Sequence, residues 1–312
     1  MFDLAAMRCT LVALLVLAAC GEEDRVFPPG QPADPNPPAA DYVRYEAPPL
    51  QIAPGESKLW AQWVAAPLDH DVDVTDLLGS QGAGGHHANL YATSDAEPVG
   101  TTREWQDADQ LKARFVGSIG GEGGSVTKPP AGTVFRIHKG SALVMQTHYL
   151  NATDQVLTGT TQLDVKMQPA DPGARVVSMF TSTTITLDLK PGQATTAKAT
   201  CMLQEDVPLL IYANHMHQLG ASIATTLTVD GQTTTLKQDS VWNPEWAFNS
   251  NFAKRAIDMP LVLPAGGQLE TTCTWMNNTD KEVRFPDEMC VFFTLYLGDQ
   301  DITCLGGAWL KT

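Results

Sequence analysis

Beyond residue 50 the chain alternates apolar and polar positions in short runs, and helical periodicity is scarce. The runs 59–64, 88–92, 134–138, 143–150, 160–167 and 176–181 predict a first set of strands. The runs 183–189, 194–202, 209–216, 222–229, 232–238, 268–275 and 291–297 predict a second. Turn formers separate them, notably Lys190-Pro191-Gly192, Asp230-Gly231 and Pro264-Ala265-Gly266-Gly267. Many short strands in two sets predict an all-β protein built as two tandem antiparallel β-sandwich, jelly-roll-like domains. The weakest hydrophobic join is Gln168-Pro169-Ala170-Asp171-Pro172-Gly173, which divides the chain into domains at 50–172 and 173–312. Gly117 to Gly124 reads as a glycine-rich loop within the first set, and with no helix after it, it is no phosphate cradle.

Before residue 50 the pattern changes. Leu11 to Ala19 is an apolar run of signal-peptide length, too short to span a bilayer, and it ends in Leu17-Ala18-Ala19-Cys20-Gly21, a lipobox. Residues 1–20 therefore read as a lipoprotein signal with Cys20 as the lipidated residue, an ordinary secretory signal being the alternative. Asp3 is out of keeping with a basic leader, and Met7-Arg8 makes a better start. Residues 21–49 hold eight prolines among small and polar residues, the composition of a tether. The expected location is the cell envelope, outer membrane or periplasm-facing, with membrane contact only through the lipid at Cys20.

Composition changes this picture little. The 312 residues with 43% apolar content suffice for two cores. A formal charge of −15 argues against nucleic acid or anionic lipid as a partner. With Cys9 in the signal and Cys20 acylated, Cys201, Cys273, Cys290 and Cys304 remain, and in an oxidising compartment they predict two disulfides, with three pairings open. Their spacings are not those of a zinc knuckle.

The candidate chemistry lies in the histidines. Five of the seven fall in three groups: His86-His87, the single His148, and His215-Met216-His217. Residues two apart on a strand share a face, so His215 and His217 can reach one metal, although such a pair alone is as often an ordinary strand feature. Neighbours such as His86 and His87 face opposite ways on a regular strand, and Gly82-Ala83-Gly84-Gly85 supplies the irregularity needed to swing both toward one point. His148 completes a three-imidazole site suited to copper or zinc. His70 and His138 read as surface or structural residues.

His86-His87, Gln146-Thr147-His148-Tyr149, Tyr212-Ala213-Asn214-His215-Met216-His217-Gln218-Leu219-Gly220 and Asp287-Glu288-Met289-Cys290, in that order, resemble the type II copper, ascorbate-dependent monooxygenases. That family includes peptidylglycine alpha-hydroxylating monooxygenase and dopamine beta-monooxygenase. The resemblance implies two copper ions per chain: one at His86, His87 and His148 that transfers electrons, and one at the catalytic His215, His217 and Met289 that activates dioxygen. A soft thioether suits Cu(I); without the resemblance Met289 would read as core. It also implies the disulfides Cys273–Cys290 and Cys201–Cys304, an external reductant such as ascorbate, and hydroxylation of a C–H bond of a small organic substrate. Gln146, two residues before His148, would line an electron or substrate route. The family's peptide-hydroxylating members anchor a substrate carboxylate at positions that are Ala213, Val291 and Phe293 here, so an apolar or differently anchored substrate is expected. The alternative is a non-catalytic copper-binding lipoprotein on the same scaffold. A zinc hydrolase fits less well, because neither cluster brings a carboxylate into a base position.

Overall fold

A computed structural model describes residues 38–120, 125–247, 250–285 and 287–312. The predicted signal, Cys20 and most of the predicted tether lie outside them, as does the stretch 121–124. The described chain is nearly all β-strand, arranged in antiparallel sheets, as the alternation predicts. No helix among these residues is long and apolar enough to cross a membrane.

In the first half, a five-stranded sheet faces Tyr42–Ile52, Val72–Gln81, Thr133–Ile137 and Leu157–Pro169. The five strands are Ser57–Ala65, Gly85–Thr93, Thr102–Glu104, Ala113–Gly120 and Ala142–Leu150. Between the layers Trp63, Leu77, Leu90, Phe115, Phe135, Leu143 and Met145 are almost wholly buried. In the second half, Ala194–Met202, Gly220–Val229, Gln232–Asp239 and Gln268–Met276 form a four-stranded sheet. The opposing layer is built on Arg175–Thr183, Val207–His215 and Val291–Leu297, with Phe180, Leu209, Tyr212 and Phe292 buried beneath it.

The two halves repeat one plan. Ile52-Ala53-Pro54-Gly55-Glu56 and Leu189-Lys190-Pro191-Gly192-Gln193 are matching turns, and each is tied to an Asn-x-Thr-Asp loop, 151–154 in one half and 277–280 in the other. Asn151 is fully buried, and its Nδ2 donates to the carbonyls of Ile52 (2.9 Å) and Gln155 (2.7 Å). Asn277 does the same to Leu189 (2.7 Å) and Lys281 (2.7 Å). Thr153 and Thr279 then cap the two loops through their amides and hydroxyls on the asparagine oxygen. One difference matters for the site. In the first half, Leu157–Pro169 runs unbroken, whereas its counterpart is split into Val283–Arg284 and Val291–Leu297 by the segment that carries Met289.

Several sequence expectations are corrected. The tether predicted to reach residue 49 ends earlier, because Tyr42–Ile52 is an edge strand paired with Leu157–Pro169. Its Pro48 and Pro49 fall at a register shift between Ala47 and Leu50, where missing N–H groups cost least. Val72–Gln81 gave no strand signal because of its acids, yet it is an inner strand. Asp73 is fully buried, taken up by Arg136 on the neighbouring strand (2.8 and 3.1 Å) and by the amide of Asp171 (2.9 Å). Gly117 to Gly120 is strand rather than loop; a Cβ on Gly117 would come within 2.8 Å of the Leu77 side chain, so glycine is what the packing admits. The strand predicted at 183–189 survives only as Asp188–Leu189.

The halves are welded together. Thr133–Ile137 pairs in parallel with the start of Arg175–Thr183, and Val177 and Leu210 of the second half are buried in the core of the first. Asp301 is the polar centre of this seam. It is 7% exposed, and its two carboxylate oxygens accept from the amide of Phe115 (2.6 Å) and the amide of Met179 (2.8 Å), one from each half. Burial raises its pKa to about 6, against the two amides and the nearby Arg114. A buried acid whose folded pKa is raised binds its proton more tightly folded than unfolded. Its contribution therefore declines as pH climbs from about 4 to about 6, by on the order of 3 kcal/mol. Asp301→Asn is expected to remove that slope from the pH dependence of urea unfolding; an unchanged slope would contradict it.

Candidate metal centre

The first cluster joins the start of Gly85–Thr93 to the end of Ala142–Leu150. Gly84 has φ +76, and a Cβ on Gly85 would meet that of Gln81 at 2.4 Å, so both positions require glycine. Pairing with Ala142–Leu150 then slips by one residue between Gly85 and His87, leaving His86 as the extra residue of a bulge. The bulge turns both neighbouring imidazoles the same way, which a regular strand forbids. His87 lies directly opposite His148. Ring centroids are 5.1 Å (His86–His87), 4.7 Å (His86–His148) and 5.0 Å (His87–His148), and one ligand atom from each lies within 4.8 Å of the others. The Ser57 hydroxyl bonds His148 Nε2 at 3.1 Å, which leaves Nδ1 of that ring for a metal. Gln146 occupies the next rung, opposite Asn89, whose Nδ2 donates to its Oε1 at 2.8 Å.

The second cluster ends Val207–His215. His215 is the last residue of that strand, His217 lies just past it, and their rings are 5.1 Å apart at 86°. Between them Met216 is fully buried, turned into the core. His217 Nδ1 is 2.9 Å from the carbonyl oxygen of Asp287, to which it donates, so Nε2 is left with the lone pair. Val291 pairs with His215 and Ala213 with Phe293, placing Ala213, Val291 and Phe293 on the face of His215. Phe293 stands edge-on to His215 at 6.2 Å and to Phe252 at 5.7 Å, an apolar wall beside the imidazole. Met289 lies between Asp287 and Val291, the two residues that hold His217 and His215.

The two clusters are within electrostatic reach of one another. Burial first, then the neighbouring imidazoles, hold four of them neutral: His148 is lowered to about 4 and His215 to about 3, while His86 and His87 are also lowered. His217 contributes to the shifts of His86, His87 and His148, and His86 to that of His215. Neutral imidazoles at physiological pH are ready ligands that need shed no proton first.

Both disulfides form, Cys201–Cys304 and Cys273–Cys290, the second closing the segment next to Met289. His70 is exposed beside Asp69, and His138 bridges Asp71 and Asp299 at the seam, away from both clusters. Sequence reasoning assigned no role to Glu288, a buried acid whose carboxylate bonds the amides of His217 and Leu219. Its signal was present, an acid directly before the apolar run 289–297, but charge at such a position reads as a turn.

No curated protein matches the chain. Among solved structures, the major capsid protein P2 from bacteriophage PM2 aligns with a TM-score of 0.40 and 9% identity, over 82% of this chain and 97% of that one. PNGase F, a glycosylasparaginase from Flavobacterium meningosepticum, aligns at 0.37 and 12%, over 87% and 99%. Both likenesses are too loose to bear on function. Residues 173–305, which contain His215, His217, Met289 and both disulfides, match the family model "Copper type II ascorbate-dependent monooxygenase, C-terminal domain". The second half of the chain is therefore similar to the C-terminal domain of the copper type II ascorbate-dependent monooxygenases.

Proposed function

We propose that the protein is a copper-dependent monooxygenase that hydroxylates a C–H bond of a small apolar substrate, using dioxygen and an external reductant such as ascorbate. The observation that carries this reading is the convergence of His86, His87 and His148 into one three-imidazole cluster within electrostatic reach of the His215–His217 pair. The donor sets fit copper: three neutral imidazoles for one ion, and two imidazoles with the Met289 thioether for the other, where soft sulfur favours Cu(I). Copper bound there would supply one-electron redox chemistry and dioxygen activation.

The chain's own residues do the rest. Ser57 and the Asp287 carbonyl set which ring nitrogen His148 and His217 offer. Burial keeps His86, His87, His148 and His215 unprotonated. Ala213, Val291 and Phe293 present an apolar wall that excludes water and offers nothing to a carboxylate. Gln146, 5% exposed and held through its Oε1 by Asn89, would line an electron or substrate route beside His148. Two disulfides fit an oxidising compartment, consistent with an exported chain anchored through lipid at Cys20.

The test is oxygen uptake with product analysis. The copper-loaded chain with ascorbate is expected to consume oxygen in step with hydroxylation of a neutral apolar substrate, and Met289→Ala is expected to abolish both. Two bound coppers without turnover across a broad panel of neutral and charged substrates would instead identify a non-catalytic copper-binding lipoprotein.

A further inference from the structure

Glu288 is 1% exposed, and among the described residues no cationic side chain pairs with it. N–H donors meet its carboxylate instead: Leu219 on Oε1 (2.6 Å), and His217 (3.0 Å), Met289 (3.3 Å) and the Trp275 indole (3.0 Å) on Oε2. Burying a carboxylate without a counter-ion is costly unless such donors surround it. An apolar residue would fill the same space but leave these buried N–H groups unpaired, so the purpose of the carboxylate lies in the groups it ties together.

What the carboxylate joins supplies that purpose. Between Arg284 and Val291 a strand that runs unbroken in the first half is interrupted, so the described residues there lack the sheet bonds that fix their counterpart. Cys290 anchors one side of Met289 through its disulfide to Cys273. Glu288 anchors the other, clasping the chain at His217 and Leu219 while Trp242 Nε1 holds the His217 carbonyl from the opposite side at 2.9 Å. His217 and Met289 thus hang from one oxygen atom.

We propose that Glu288 is a positioning residue that holds His217 and Met289 in ligating register before any metal arrives. The proposal rests on the assignment of the second copper site above. Copper then binds a site whose loop is already ordered, and the carboxylate acts through the backbone without touching the ion. A carboxylate accepts from all four donors at once. Glu288→Gln keeps the shape but turns one oxygen into an NH2 group facing N–H donors, which breaks at least one tie.

The experiment is anaerobic Cu(I) titration of the full chain against a chromophoric Cu(I) chelator, with copper-edge X-ray absorption to read sulfur ligation and thermal unfolding to verify the fold. Wild type is expected to bind two Cu(I), one with a Cu–S contribution. Glu288→Gln is expected to weaken the second ion by 10–100-fold, the scale typical of losing a group that orients a metal ligand, and to lose the Cu–S contribution while the first ion binds as before. A folded Glu288→Gln chain that keeps Cu–S ligation and wild-type affinity, even with a lower melting temperature, overturns the proposal. Should that variant fail to fold, Glu288→Asp keeps the charge but shortens its reach; weakened sulfur ligation supports positioning, and wild-type ligation overturns it. A wild-type chain without any Cu–S contribution refutes the site assignment itself, and the proposal with it.

Discussion

Replacing His148 with alanine is expected to cost the protein one of two bound coppers and to lower turnover by more than about 100-fold. His148 is the only ligand of the first cluster that comes from outside the 85–93 strand, and the bulge at His86 offers the remaining two imidazoles from neighbouring residues. Two adjacent imidazoles without a third leave an open, weakly held site. Losing a group that merely orients a ligand costs 10–100-fold in affinity or activity, and losing the ligand itself exceeds that. The second site should retain its copper, because His215 and His217 are held by Val291, Asp287 and Glu288 rather than by anything in the first cluster. Metal analysis of the purified variant checks this: loss of both ions would mean that the clusters form a single unit, and loss of neither would remove His148 from the site.

The largest stability effect is expected at Cys201–Cys304. This disulfide closes a loop with a sequence separation of 103, against 17 for Cys273–Cys290. In the chain-entropy model, cross-linking the unfolded chain over such distances contributes about 4–5 kcal/mol and about 3 kcal/mol respectively. Cys201 and Cys304 are also fully buried, in the core that carries Phe180, Leu209 and Phe292. The double variant Cys201→Ala with Cys304→Ala should unfold at markedly lower urea, while a chain still folded at low temperature keeps both metal sites. The double variant Cys273→Ala with Cys290→Ala should lose less stability but loosen Met289, and so weaken the second copper. Equal urea midpoints for the two double variants would argue against the loop-length account.

Much of this was legible in the sequence, and the failures have physical causes. Period-two alternation marked most strands of both sandwiches, and the scarcity of histidine made its three groups conspicuous. The glycines before His86 correctly foretold an irregular backbone there, since a positive φ and a forbidden Cβ both demand them. Val72–Gln81 escaped because its acids are taken up by Arg136, Lys128 and the Tyr42 hydroxyl, partners distant in sequence that no local pattern announces. Tyr42–Ile52 escaped because Pro48 and Pro49 read as tether, although an edge strand tolerates them at a bulge. The duplication of the two halves was written in Pro54-Gly55 and Pro191-Gly192 and in the two Asn-x-Thr-Asp loops, but its meaning depends on the bonds that Asn151 and Asn277 make. Met289 lies on the segment where the duplication fails, so neither periodicity nor the internal repeat points to it, and only the family resemblance did.

The central claim is that one chain carries two copper sites of different ligand type. Metal analysis of the mature full-length chain, combined with X-ray absorption of its reduced form, tests it most directly. The account predicts two coppers per chain, one with nitrogen ligands alone and one with an added sulfur ligand that disappears in Met289→Ala. A single zinc per chain, or copper at the three-imidazole cluster alone with no sulfur ligation, would contradict it.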